Sequence, residues 1–144
     1  TLDILGVEKV FHRIKQRPGK PFWFGKHQAY KTTVFAFPGN PASTFANYHI
    51  YFLPWLHKSL GLSEAMYTTV ILQEAFNNAT ALTRFVRAKV IARTGNLDVQ
   101  LIMGNGSGDL TSLTRANGFV RFEPNTTYKK GDMVPFLSTR SILR

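Results

Sequence analysis

The sequence predicts an α/β region over residues 1–61 followed by a small all-β, barrel-like domain over residues 67–144. Three observations carry this. Val34 to Phe37 is a short apolar run that Pro38-Gly39-Asn40-Pro41 stops sharply, and helical spacing takes over after it. Beyond residue 67 the hydrophobic period changes from helical to two. A second proline-glycine bend, Arg17-Pro18-Gly19-Lys20-Pro21, lies between two strand-like runs ahead of the first.

Taken in order, Thr1 to Gly6 reads as the last turn of a helix ending at glycine, and Val7 to Ile14 as a strand. Pro21 to Gly25 is a short apolar strand, and Lys26 to Lys31 a polar connection into the run at Val34. Asn40 is a preferred N-cap, and Pro41 suits the first helical position because its missing N–H would have been unpaired anyway. Phe45, His49, Phe52, Leu53, Leu56 and Leu60 then recur at helical spacing, with Gly61 as the stop. Pro54 removes an intrahelical hydrogen bond and is expected to kink or divide that helix. One helix cannot cover both faces of a sheet, so residues 1–61 are expected to be the C-terminal part of a larger α/β domain.

Gly61 to Glu64 is a candidate hinge, and Tyr67 to Glu74 a strand. Arg84 to Arg93 alternates, with Val86, Ala88, Val90 and Ala92 on one face and Arg87, Lys89 and Arg93 on the other. Leu97, Val99, Leu101 and Met103 alternate likewise across a turn at Thr94-Gly95-Asn96. Phe119 to Glu123 and Met133 to Leu137 complete a set of short antiparallel strands, as in a small barrel or sandwich.

A content of 44% hydrophobic and 13% aromatic residues in 144 supports an ordered core and argues against disorder. The absence of cysteine excludes disulfides, thiolate metal sites and a cysteine nucleophile, and fits a reducing, cytoplasmic setting. No run approaches the length of a membrane-spanning helix. The formal charge of +10 calls for an anionic partner: nucleic acid, acidic membrane or phosphorylated small molecule. Lys9, Arg13, Lys15, Arg17, Lys20 and Lys26 are concentrated near the start against only Asp3 and Glu8. A focused patch suits a small-anion site better than a duplex track, so neither nucleic acid nor membrane is the expected partner.

The strand, tight turn and helix start at 33–43 would aim backbone N–H groups and a positive dipole end at an oxyanion, with Ser43 adding a hydroxyl. As an isolated unit it reads first as ordinary turn chemistry. In the earlier bend two prolines stiffen a glycine turn while Arg17 and Lys20 supply cations and Arg13 lies four residues upstream. The competing reading there is a surface turn with solvated charges. Gly104-Asn-Gly-Ser-Gly-Asp109 lacks the endings of a phosphate loop, and Ser107 or Asp109 is better read as capping a helix through Leu110 to Leu113. The four histidines have no metal-ligand spacing, and His49 falls on the apolar helix face as a core residue.

Arg17-Pro-Gly-Lys-Pro-Phe-Trp-Phe-Gly25, followed by Val34-Phe-Ala-Phe-Pro-Gly-Asn-Pro-Ala-Ser43, resembles the paired "PGKP" and "LPGNPVS" segments of the MoeA/gephyrin molybdopterin molybdenumtransferases. The aromatic-faced helix with Pro54 ahead of Leu60-Gly61 resembles the family's continuation, as does the β-rich tail with Ser107-Gly108-Asp109 through Ala116-Asn117-Gly118. The resemblance implies that residues 1–61 end a three-layer molybdopterin-binding α/β domain and that residues from 67 form the C-terminal β-barrel domain. It implies insertion of molybdenum from molybdate into adenylylated molybdopterin with release of AMP, Mg2+ assisting through ligands outside this chain, and a homodimer. By motif position Arg13 and Ser43 resemble molybdate contacts, Arg17 and Lys20 resemble anion or substrate-phosphate contacts, and Pro38, Gly39 and Asn40 shape the turn. Phe37 stands for a common leucine, Arg17 for a common lysine, and Lys15-Gln16 where apolar residues are usual. The family's upstream pterin-binding glycine-serine loop and acidic residues have no counterpart here, so this chain alone is expected to be catalytically incomplete. A different expectation from the same family is a scaffold or interaction module without catalysis; a third is nucleic-acid binding by the basic β domain.

Overall fold

The structure, a computed structural model, describes residues 2–62, 66–93, 95–104, 109 and 111–140. A single 3-10 turn, Asp3–Leu5, closes at Gly6. Strand β1 (Val7–His12) then pairs antiparallel with β3 (Trp23–His27), and β3 with β4 (Thr32–Ala36), in the order β1-β3-β4. Residues 1–61, expected to be α/β, instead form an antiparallel sheet with one broken helix against it. The connections are too short for the crossovers that parallel neighbours need. Phe35 meets Phe52 and Trp55 of the helical segment at 5.5 and 5.1 Å, and Phe22 meets Tyr51 at 5.0 Å.

The helical segment divides as expected. Helix α1 (Pro41–Asn47) gives way to a π segment, Tyr48–Phe52, and then to α2 (Leu53–Ser59). Pro54 has no N–H to donate, and its ring crowds the carbonyl four residues back, so the ladder shifts to wider spacing just before it. Gly61 ends the run at φ 73°, with its N–H on Lys58 O and the Leu62 N–H on His57 O. That pair of bonds satisfies carbonyls the last turn leaves open. Of the candidate hinge at 61–64, residues 63 and 64 lie outside the described residues.

Seven further strands follow: β5 (Thr68–Leu72), β6 (Phe76–Asn78), β7 (Thr83–Arg93), β8 (Asn96–Leu101), β9 (Gly118–Phe122), β10 (Thr126–Tyr128) and β11 (Met133–Ser138). The order β7-β8-β5-β11-β9 closes on itself through a β7–β9 pairing, giving a five-stranded barrel. One neighbouring pair in it, β5 with β8, is parallel rather than antiparallel. Val70, Leu72, Val86, Ala88, Val90, Val99, Val120, Phe122, Val134 and Phe136 fill the interior. Ala92, expected inside, is exposed because the β7–β8 hairpin runs on past the ring. Met103 is exposed beyond the end of β8. The small β6–β10 pair covers one end, with Phe76 stacked on Phe122 at 4.1 Å.

The two regions are joined closely. A two-residue strand β2 (Gln16–Arg17), carried on the loop between β1 and β3, pairs parallel with β7. Ala46 and Ile50 of the helical segment share a buried cluster with Phe85, Phe119 and Leu137 of the barrel.

Candidate anion-binding site

A buried polar knot fixes the first bend. Gln16, 3% exposed, stands on β2, and Asn47, fully buried, ends α1. Gln16 Nε2 donates to Asn47 Oδ1 at 2.9 Å and to Pro18 O at 2.9 Å. Asn47 Nδ2 donates to Gly19 O at 3.2 Å, and Tyr51 Oη–H donates to Gln16 Oε1. Gly19 has φ 91°, and a Cβ there would lie 2.2 Å from Asn47 Oδ1, so only glycine fits. Burial pushes the Tyr51 phenol up to about 12, with Tyr67 adding to the shift and Arg121 opposing it. The phenol therefore stays a donor throughout the neutral range.

Asn40 shapes the second bend. Its side chain accepts the Ser43 N–H at 3.1 Å, its carbonyl accepts the Thr44 N–H at 2.9 Å, and the Thr44 hydroxyl donates to Pro38 O. Asn40 is thus the N-cap, as expected. Pro41 has no N–H, and the Ser43 N–H is committed to Asn40, so neither is offered to an anion at the helix start.

The two bends share one cavity of about 440 Å³ at the junction with the barrel. Arg17, Lys20, Asn40 and Ser43 line it together with Arg84 and Arg87 of β7. Phe85, Ile102 and Phe119 form part of its apolar wall, and no aspartate or glutamate is in the described lining. Arg13 is not in the lining. It is exposed at φ 70°, with its N–H on Phe22 O at 2.8 Å, just outside the base of the first bend. Pro38 and Gly39 also lie off the cavity wall and bear on it only through the turn.

Sequence reasoning missed Arg84 and Arg87, whose positions in an alternating strand look like ordinary solvated cations. It also read Gln16 only as a departure from an apolar position. Arg87 Nη1 donates to Asp109 O at 2.8 Å. The Arg84 guanidinium lies 5.6 Å over the Phe76 ring, and burial first, then Arg17, lower its pKa from the ordinary arginine value. It remains charged at any physiological pH. Asp109 Oδ1 accepts the Ser112 N–H at 3.0 Å at the start of α3 (Thr111–Arg115), while Ser107 and the rest of the glycine loop lie outside the described residues. His49 is half-buried against Phe45 at 4.6 Å, its pKa lowered by burial. Among the described residues, no group of three or more His, Cys, Asp or Glu could hold a metal ion.

A closed five-stranded barrel carries a sheet-and-helix unit, and a basic cavity with no carboxylate among its described lining residues lies where they meet. Residues 69–138 match the MoeA C-terminal region (domain IV). Over 140 residues the chain is 29% identical to the molybdopterin molybdenumtransferase of Staphylococcus epidermidis, covering 92% of this chain and 32% of that protein. It is 28% identical over 130 residues to the Drosophila melanogaster molybdenum cofactor synthesis protein cinnamon, covering 85% and 21% respectively. The crystal structure of the Pyrococcus horikoshii OT3 molybdopterin biosynthesis moeA protein superposes with a TM-score of 0.74 at 25% identity, covering 92% of this chain and 33% of that one. The chain is similar to MoeA proteins over most of its length, and it spans about a third of the length of the molybdenumtransferases it matches.

Proposed function

We propose that this chain forms the C-terminal portion of a molybdopterin molybdenumtransferase, which inserts molybdenum from molybdate into adenylylated molybdopterin and releases AMP. In this reading residues 1–61 complete the molybdopterin-binding α/β domain and residues from 67 form the barrel domain. The observation that carries it is that Arg17, Lys20 and Ser43 line one cavity with no carboxylate among its described lining residues. Molybdate is a tetrahedral dianion. A guanidinium binds such an oxyanion through paired N–H bonds, lysine adds a compact charge, and a hydroxyl donates one further bond.

The chain's contribution is to bind and orient the anion. The Gln16–Asn47–Tyr51 knot holds the Arg17–Lys20 bend rigid, and Asn40 sets the first turn that carries Ser43. Arg13, at the end of β1, is assigned a molybdate contact in the same reading. The ligands of the assisting Mg2+ are assigned to residues outside this chain. A cytoplasmic homodimer is the proposed working form.

Molybdate insertion by the intact protein tests this. Ser43→Ala and Arg17→Ala should each lower it about ten- to a hundredfold, the worth of a hydrogen bond to a charged group. Arg13→Ala should lower it by less. Unimpaired insertion in all three variants overturns the assignment.

A further inference from the structure

A second cavity, of about 610 Å³, opens between the end of the helical segment and the barrel. It shares none of its described lining residues with the first. Leu53, Leu62, Met66 and Leu137 give it an apolar wall. His49, His57 and Lys58 bring three bases to it, and no aspartate or glutamate is among its described lining residues. Two of the bases have a local reason to be there. His57 and Lys58 stand in the last turn of α2, where cations offset the carbonyl end of the helix. That reason does not extend to His49, because the helical segment continues past it into α2. His49 is half-buried, with its ring 4.6 Å from Phe45, and burial lowers its pKa below the ordinary value. Nothing described around the cavity offsets this. The other titratable groups lining it are His57 and Lys58, and the barrel side presents only Thr68, Leu137 and Ser138. The Ser138 hydroxyl donates to Arg140 O, while Thr68 brings a further hydroxyl.

Small-molecule sites run roughly from 300 to 1,000 Å³ and combine apolar walls with a few placed polar groups, the make-up found here. Bases without an acid select an anion, and the apolar wall selects one with a hydrocarbon body. An inorganic ion would leave the wall bare, and a neutral apolar molecule would cover the bases without pairing them. We propose that this cavity is a binding site for a small amphipathic anion, an organic carboxylate. Its charged end meets Lys58 and His49, and its hydrocarbon body lies along Leu53, Leu62, Met66 and Leu137. The proposal is independent of the molybdenumtransferase reading, since it uses none of the residues assigned there.

The test is calorimetric titration of the intact protein with octanoate, with octanol as the neutral counterpart. Octanoate should bind and octanol should bind more weakly. Lys58 is exposed, so Lys58→Gln should fold normally and weaken octanoate about fivefold, the upper end for an exposed ion pair. Lys129→Gln removes the same charge from an exposed position off the cavity and should change the affinity by no more than about twofold. A carboxylate beside His49 favours the imidazolium. Binding should therefore take up protons, read from titrations in buffers of different ionisation enthalpy, and tighten as the pH falls from 8 to 6. His49→Gln should flatten that dependence, which a merely structural histidine would leave as it is. Absence of octanoate binding, equal affinity for octanol, or unchanged affinity in Lys58→Gln overturns the proposal. So does weakening by Arg17→Ala alone, which would put the ligand in the first cavity. Each of these results leaves molybdate insertion, and the reading built on it, to be judged by its own variants.

Discussion

The barrel and the sheet-and-helix unit ahead of it are stabilised in different ways. The barrel closes its hydrogen-bond ladder on itself, and its interior is mostly valine at or near zero exposure. Closure removes unpaired edges, so compact aliphatic side chains are enough to fill it. The first unit is an open sheet whose β1 and β4 are edges, and its packing relies on contacts among Phe11, Phe22, Phe24, Phe35, Phe52 and Trp55. Among the described residues there, only Val7, Phe22, Ala42, Ala46 and Ile50 are buried and apolar, and two of the buried side chains are the amides Gln16 and Asn47. An open unit with a thin core gains definition from a hydrogen-bonded knot, and that is the unit carrying the functional bends.

The largest expected effect comes from breaking the barrel. Phe122→Ala should cost about 3–5 kcal/mol in denaturant unfolding, the usual price of emptying a buried aromatic site. Because Ala46 and Ile50 pack on Phe85, Phe119 and Leu137, both regions should be lost in one transition. Two separate transitions would show that the barrel and the first unit unfold independently. Next comes the knot. Asn47→Ala leaves Gly19 O and one Gln16 donor bond unmade in a buried setting and should cost about 1–3 kcal/mol. Its signature is local: amide exchange should accelerate over residues 14–22 more than in the barrel strands. A uniform acceleration would mean the knot serves global stability rather than the bend.

Asn40→Ala should cost about 1 kcal/mol through loss of its cap on Ser43. It should lower molybdate insertion more than that loss of stability accounts for, since Ser43 sits in the freed turn. The smallest effect is with pH. The Tyr51 phenol titrates at about 12 when folded, against an ordinary value of 10.0. Above pH 10 the unfolded chain gives up this proton while the folded one keeps it. Stability present below pH 10 therefore falls as the pH rises towards 12. Melts across that range should show the decline in wild type and a shallower one in Tyr51→Phe. Some decline should persist, because burial raises Tyr67 as well.

Much of this was legible in the residues. The run Val34 to Phe37, the cap at Asn40, the break near Pro54 and the stop at Gly61 each follow from local chemistry that acts within one or two turns of its own position. The period-two runs in 84–93 and 97–101 marked strands for the same reason. The short strands β2, β6 and β10 escaped notice because two or three residues carry no period. Gln16 looked out of place beside an apolar expectation, and only Asn47, far along the chain, explains it.

By itself the sequence determined the kinds of element, their order, the two rigid bends and the cations that ride on one of them. It could do so because turn residues, caps and hydrophobic periods constrain the backbone locally. Tertiary structure alone decided that the strands close into a ring, that Asn47 ties down Gly19, and that Arg84 stands opposite Arg17. Those juxtapositions depend on the register between segments tens of residues apart, which only the packing of the whole chain sets.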